Sequence, residues 1–492
     1  MPLSNVVFKL KSAVRRLVLQ PVPALVCLGL PVFIVNYFAG RPGISGWDAN
    51  LYYAYAGAIA ETGRVDLGWA YAEMVKRGAD PTVFDFRRLT RMGRPYNYFP
   101  IGHPLLHVPA VLLGRWVSGA FESRGFSAFG PTAQLLYCLS CIGAGALGLG
   151  LVRRRVSALL GDEAAGVGLL SLFAVSMLGY YWFVLPALSH TSSLLMAALV
   201  VGAFWRAAGD GVGGGRPAND APQSDPKSGM AAEGGAGPAW AFGALGLATG
   251  YMAAVRLQDV VFGAFGVVAL WTLVRRSLAL RRILVRAVLL GAGVVLGFLP
   301  QMLLWRWKDG SWIYLGYHEL YPERYYFSWA RPQLWNVLFS ARHGLFFWHP
   351  GMLAAFAGFV MWLWGASRPV RIAAAAEGLP AGSAVGGGRA ALGWALLLSF
   401  LGLWYVGGSF SVWWFGDSFG SRPFLSVLPL FWIGAAWLWT RVRGRPVLAM
   451  AYWAVVAVLG AMNVLLALLY HLGRIPRGDA LTLEIVVRGL GF

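Results

Sequence analysis

A few polar side chains stand out in a chain that is otherwise mostly apolar. The acid is Asp48, in GWDANLYYAY, a few residues beyond the first long hydrophobic run. Three arginines lie where apolar segments begin or break: Arg256 in AAVRLQDVVF, Arg342 in SARHGLFFWHP and Arg422 in GDSFGSRPF. Around them in sequence stand His103 in YNYFPIGHPLL, with Tyr98 ahead of it, and His190, His318, His343 and Asp417. A carboxylate can take the proton of a hydroxyl as that hydroxyl attacks. A guanidinium can grip a phosphate with two parallel hydrogen bonds, a geometry that suits Arg better than Lys. Each residue also has a plainer reading. Asp48 can cap a helix that starts after Gly46-Trp47, and His103 can hold a turn between two prolines. Arg256 can pair with Asp259, and the loop arginines can snorkel toward lipid headgroups. Asp80 and Asp85 read as solvated or turn residues.

These residues need a scaffold, and composition says of what kind. Of 492 residues, 58% are hydrophobic and only 13% are charged, against about 25% charged in soluble proteins. The mean hydropathy is +0.60. The chain is therefore read as an all-α polytopic membrane protein. The net charge of +20 does not indicate nucleic-acid binding, because the basic residues fall in short clusters between hydrophobic runs. Cys27, Cys138 and Cys141 lie in apolar segments, so no disulfide framework is expected. The Cys138/Cys141 spacing reads as incidental.

A helical span needs about 20 apolar residues, and that criterion gives about eleven spans. They fall near 17–38, 131–151, 164–184, 189–206, 239–256, 259–275, 284–305, 344–365, 391–410, 424–440 and 446–470. The opening MPLSNVVFKLKSAVRR reads as a retained cytoplasmic N-terminus. The positive-inside rule then places Arg153–Arg155, the 206–238 linker, Arg275–Arg286, Arg368–Arg389 and Arg441–Arg445 on the cytoplasmic side. Residues 41–130 form a long extracytoplasmic loop, in which 103–118 are too short to span and read as an interfacial or re-entrant helix. Residues 209–238 and 373–390 are Gly/Ala-rich linkers. On this topology the unusual polar residues gather at the extracytoplasmic face, while the cytoplasmic loops offer arginine clusters and linkers. A Walker A lysine motif and HExxH are absent, so neither ATP-driven chemistry nor a zinc protease is expected. A serine-hydrolase site is not expected either. GAGALG at 143–148 lies in an apolar run and reads as close-packed membrane helix.

Four features give the chain a resemblance to the GT-C superfamily of polytopic glycosyltransferases, in its protein O-mannosyltransferase and aminoarabinose-transferase branch (glycosyltransferase family 39-like). They are a first span followed by a long loop with an early acid (GWDANLYYAY), the segment YNYFPIGHPLL, the span ending in LGLVRRRVSALLGDEAAG, and a second large external loop after the seventh span. The branch shows Asp-Glu at the first-loop acid, whereas this chain has Asp48-Ala49, which leaves a single carboxylate. The resemblance implies a GT-C fold with a catalytic module over 1–305, a second extracytoplasmic loop over 306–343 and a variable C-terminal module over 344–492. It further implies a multi-pass protein of the cell membrane, the bacterial inner membrane, with an extracytoplasmic active site.

The implied activity is inverting transfer of a monosaccharide from a polyprenyl-phosphate donor to an extracytoplasmic glycan, lipid or protein, without a nucleotide sugar. Asp48 would be the base, and Arg342, Arg422 and Arg256 would bind the donor phosphate. Tyr98, His103, His190, His318, His343 and Asp417 would line the substrate. No cofactor is required, no residue is assigned as a metal ligand, and a divalent metal is optional. The partners are the donor, the acceptor and membrane lipid, not nucleic acid. Two other readings stay open. A transporter or flippase would place polar residues mid-span on several helices. An O-antigen polymerase or ligase would carry its main external loop late in the chain.

Overall fold

The computed structural model describes residues 12–13, 15–39, 44, 46–84, 88–121, 126–209, 237–314, 323, 325–367 and 387–491. His318, Asp85 and most of both Gly/Ala-rich linkers lie outside them. Among the described residues the regular elements are helices, with two isolated β-bridges, Leu89–Pro95 and Phe327–Phe410.

Each of the eleven expected spans contains a helix, although 164–184 breaks after Val175 and resumes only as a short turn at Tyr180–Val184. The helices are α1 (Pro21–Phe38), then, after the first loop, α5 (Pro131–Leu160), α6 (Asp162–Val175), α7 (His190–Ala208), α8 (Ala239–Val255), α9 (Gly263–Arg275) and α10 (Leu280–Asp309). The last four are α11 (Pro350–Ser367), α12 (Gly387–Ser409), α13 (Leu428–Val442) and α14 (Pro446–His471). Among the described residues eight helices are long and apolar enough to cross a membrane, one of them counted from the short turn Leu257–Phe262 through α9. The remaining expected spans, α6, α8 and α13, are shorter, at 14, 17 and 15 residues. The protein is an all-α, multi-pass membrane protein.

The first loop is itself helical. It holds α2 (Trp47–Thr62), α3 (Leu67–Lys76) and α4 (Gly102–Phe121), and α4 contains the expected 103–118 helix. α4 packs between α2 and α5. Polar pins fix this layer. Asn97 donates to the Leu51 carbonyl (2.9 Å), while its own carbonyl accepts from Tyr55 (3.2 Å) and from Lys308 at the end of α10 (2.5 Å). Glu61 bridges Arg115 (3.1 Å) and the Ala128 amide (2.6 Å). Below, α8 and α10 lie backbone to backbone. A Cβ at Gly250 would come within 2.1 Å of the Val294 carbonyl oxygen, so only glycine allows this approach.

Beyond α14 the chain returns over the loop between α10 and α11. The Leu481 amide donates to the Ala341 carbonyl (3.1 Å), and a short terminal helix, α15 (Leu483–Gly489), follows.

Candidate active site

Asp48 occupies the first turn of α2, which begins after Gly46 at φ 97°. Its carboxylate therefore sits where helix dipole and free amides favour negative charge. Asp48 is not the cap expected of the plainer reading, because Gly46 is the N-cap residue and no side chain caps the helix. Asp48 Oδ2 lies 2.9 Å from Arg422 Nη2, each side chain remaining about a quarter to a fifth accessible (25% and 19%). A cap needs no such partner, and a buried structural pair would not stay open.

Arg422 is aimed by a tightly knit loop between α12 and α13. The same Nη2 donates to the Phe415 carbonyl (3.3 Å), and Ser421 donates to the His343 carbonyl (2.5 Å). The Phe419 amide donates to the Tyr181 hydroxyl (2.7 Å). Gly420, at φ +64°, lies so close to His349 Nε2 that a Cβ would come within 2.2 Å. Any side chain there would displace the turn that presents Arg422.

Arg256 stands at the break between α8 and the turn Leu257–Phe262, with extended backbone. It is buried, and its Nη1 donates to His190 Nδ1 (3.2 Å) at the start of α7. Asp259, also buried, faces it electrostatically and accepts from Ser193 (2.5 Å). The guanidinium thus bonds to His190, while Asp259 is held by Ser193 and feels Arg256 only through its charge.

The residue that ties these groups together is Tyr52, one helical turn after Asp48 on the same face of α2. Its hydroxyl donates to Ser189 (3.1 Å), just ahead of α7, and it feels the charges of Arg256, Asp48 and Arg422. Burial pushes the phenol up to about 12, so it is a neutral donor at physiological pH. Its ring packs edge-on against His103 (4.8 Å) and on Phe99 (4.6 Å). Sequence reasoning passed over Tyr52 because aromatics crowd that stretch; the Asp48-x-x-x-Tyr52 spacing was the available signal.

Other expected site residues fall at varying distances from this centre. His103 lies in the interior under Tyr52, its ring nitrogens bonded to Ser192, Ala187 and Tyr137 rather than facing open space. Tyr98 packs on Phe99 (4.6 Å). Arg342 stacks on Trp414 (3.6 Å) and donates to the Gly478 carbonyl (2.5 Å), so it forms an outer rim instead of joining the Asp48–Arg422 pair. His343 is buried against Trp348 (5.1 Å) at φ 61°, within electrostatic reach of both Arg342 and Arg422. Asp417 is exposed beside Gly478. Asp80 makes the turn expected of it, accepting from the Thr82 amide (2.9 Å) and hydroxyl (2.7 Å).

The spacing Gly-x-Ser-x-Gly does occur, at Gly416–Gly420, although a serine-hydrolase site was not expected. Ser418 is buried and donates to the Gly420 carbonyl (2.9 Å), with no histidine bonded to it among the described residues. The segment joins two helices rather than a strand and a helix, so it is not a nucleophile elbow.

The arrangement brings together a half-open carboxylate, two guanidinium groups, a phenol and the N-termini of two helices. Such a set can take a proton at one point and neutralise an anion at another. The sequence matches no family model and no curated protein. Among solved structures it is similar to ArnT from Cupriavidus metallidurans bound to undecaprenyl phosphate, at 15% identity and a TM-score of 0.45, over 90% of this chain and 69% of that one.

Proposed function

We propose that this protein is a GT-C-type membrane glycosyltransferase. It transfers a monosaccharide, with inversion, from a polyprenyl-phosphate donor to an extracytoplasmic acceptor. The observation that carries the reading is the half-open Asp48–Arg422 pair at 2.9 Å.

In this account the donor phosphate takes Arg422, and Asp48 is released as a free carboxylate beside the anomeric carbon. The acceptor oxygen then bonds to that carbon as the bond to the phosphate oxygen breaks, and the acceptor proton passes to Asp48. The reaction passes through an oxocarbenium-like state, as in glycoside hydrolysis. The lipid phosphate leaves with one further negative charge. In this reading Arg422 receives it, with the buried Arg256 adding positive charge behind, and no acid is needed on the leaving group. Arg342 stands at the rim, where acceptor and donor headgroup would enter, and His343 is buried behind it.

The test is a panel of polyprenyl-phosphate sugars with mixed acceptors, using purified wild type and Arg422→Gln. Consumption of one donor by wild type, with at least a tenfold fall in the variant, is the expected result. Polyprenyl phosphate binding no better than that of an uncharged polyprenol would remove the basis of the proposal.

A further inference from the structure

One buried cluster is not used by the reaction described above. His103 and His107 lie one turn apart on α4, and Cys141 faces them from α5. All three are buried, and their donor atoms lie within 4.8 Å of one another.

The hydrogen bonds show on which side this cluster is open to a cation. His103 Nδ1 and His107 Nε2 both lie 2.8 Å from the same oxygen, Ser192 Oγ. The outer nitrogens have their own oxygens: His103 Nε2 meets the Ala187 carbonyl (3.1 Å) and Tyr137 hydroxyl (2.9 Å), and His107 Nδ1 meets Ser140 (2.8 Å). Ser140 also donates to the Tyr137 carbonyl (2.7 Å). These six contacts share five hydrogens when both imidazoles are neutral, one each from two rings and three hydroxyls. If the outer nitrogens donate to Ala187 and Ser140, both inner lone pairs converge on one hydroxyl that has one hydrogen to give. In that tautomer a cation on the inner side takes both lone pairs; without an ion, Tyr137 donates to His103 Nε2, His103 Nδ1 donates to Ser192 and Ser192 donates to His107 Nε2, which leaves a hydrogen-bonded pair. An outer N–H on a carbonyl or hydroxyl is also the support that metal-bound histidines usually have.

We infer that His103, His107 and Cys141 form a buried binding site for a borderline-soft transition metal of the zinc class. Binding replaces the thiol hydrogen of Cys141, which leaves as a proton, while the two imidazoles stay neutral. Tyr137 or Ser192 supplies a fourth, oxygen donor. Metal–ligand bonds of about 2.0–2.3 Å require the donors to close in by about 1 Å. The ion would join α4, α5 and, through Ser192, α7 directly beneath Tyr52. It would therefore stiffen the floor of the candidate active site rather than take part in transfer.

The experiment measures metal per chain by plasma mass spectrometry on full-length protein. Wild type, Cys141→Ser and the neighbouring control Cys138→Ser are compared as purified, and again after chelation and reloading with Zn²⁺ or Cu⁺. The expected result is about one equivalent in wild type and Cys138→Ser. Cys141→Ser should hold at least tenfold less, and X-ray absorption of wild type should show one sulfur among nitrogen and oxygen neighbours. Wild type and Cys141→Ser holding the same amount after reloading, or wild type taking up neither ion, would overturn the inference and leave a hydrogen-bonded histidine pair.

Discussion

Replacing Asp48 by Asn should abolish turnover and at the same time tighten donor binding. In the resting protein Asp48 competes with any phosphate for Arg422, since Nη2 is already 2.9 Å from the carboxylate. Exposed ion pairs are worth about 0.2–1 kcal/mol, and breaking a buried pair costs about 3–5 kcal/mol. The Asp48–Arg422 pair, 25% and 19% accessible, belongs near the lower range. Removing the competing charge should therefore strengthen binding of polyprenyl phosphate by roughly 2–5-fold. Loss of the base should lower kcat by about 10²–10⁴-fold. Calorimetric titration of wild type, Asp48→Asn, Arg422→Gln and the double variant with undecaprenyl phosphate in detergent closes the cycle. Once Arg422 is gone, the Asp48 substitution should change affinity little. If Asp48→Asn weakens binding, or has the same effect with and without Arg422, the carboxylate does not compete for that guanidinium and the unmasking step is wrong.

Four further outcomes are expected. Tyr52→Phe keeps the ring on Phe99 and His103 but removes the hydroxyl; kcat should fall about 10-fold or more with little change in donor affinity, read by comparing transfer kinetics with titration. Arg256→Met leaves buried Asp259 without its counter-charge and should cost about 3–5 kcal/mol of stability; thermal unfolding should recover in part when Asp259→Asn is added. Asn97→Ala removes the hydrogen bond to Leu51 that holds the first loop to α2 and should cost about 1–3 kcal/mol, measured as a lower Tm and faster proteolysis of the first loop. His343, pushed down to about 4 mainly by burial and further by Arg342 and Arg422, stays neutral in the fold where a free imidazole near 6.5 would charge. The unfolded chain then binds the extra proton first. Stability should be level above about pH 6.5 and decline as pH falls toward 4. His343→Asn, which tolerates the positive φ, should flatten that decline in a Tm-against-pH series.

The helices were legible because lipid imposes a single requirement, a long apolar run, and every such run contains a helix. Even α6, α8 and α13, shorter than a full span by themselves, were visible as apolar stretches. The identities of Asp48, Arg256 and Arg422 as unusual groups were legible for the complementary reason, that charge near lipid is costly. Their pairings were not. Asp48 and Arg422 meet only because the loop between α12 and α13 folds over α2, and hydropathy carries no record of that. His103 shows the opposite case: at the start of the expected 103–118 helix it reads as a turn or substrate-lining residue, yet α4 turns its ring into the interior. That Cys141 lies beside His103 and His107 was not legible either, because those residues stand on another helix.

Sugar transfer under saturating donor isolates the proton transfer assigned to Asp48 from donor binding. With a donor identified from the panel, single-turnover formation of the glycosylated product is followed for wild type and Asp48→Asn at concentrations where both are fully donor-bound. The account predicts product from wild type and a rate at least a hundredfold lower from the variant. Equal rates from the two proteins would contradict it.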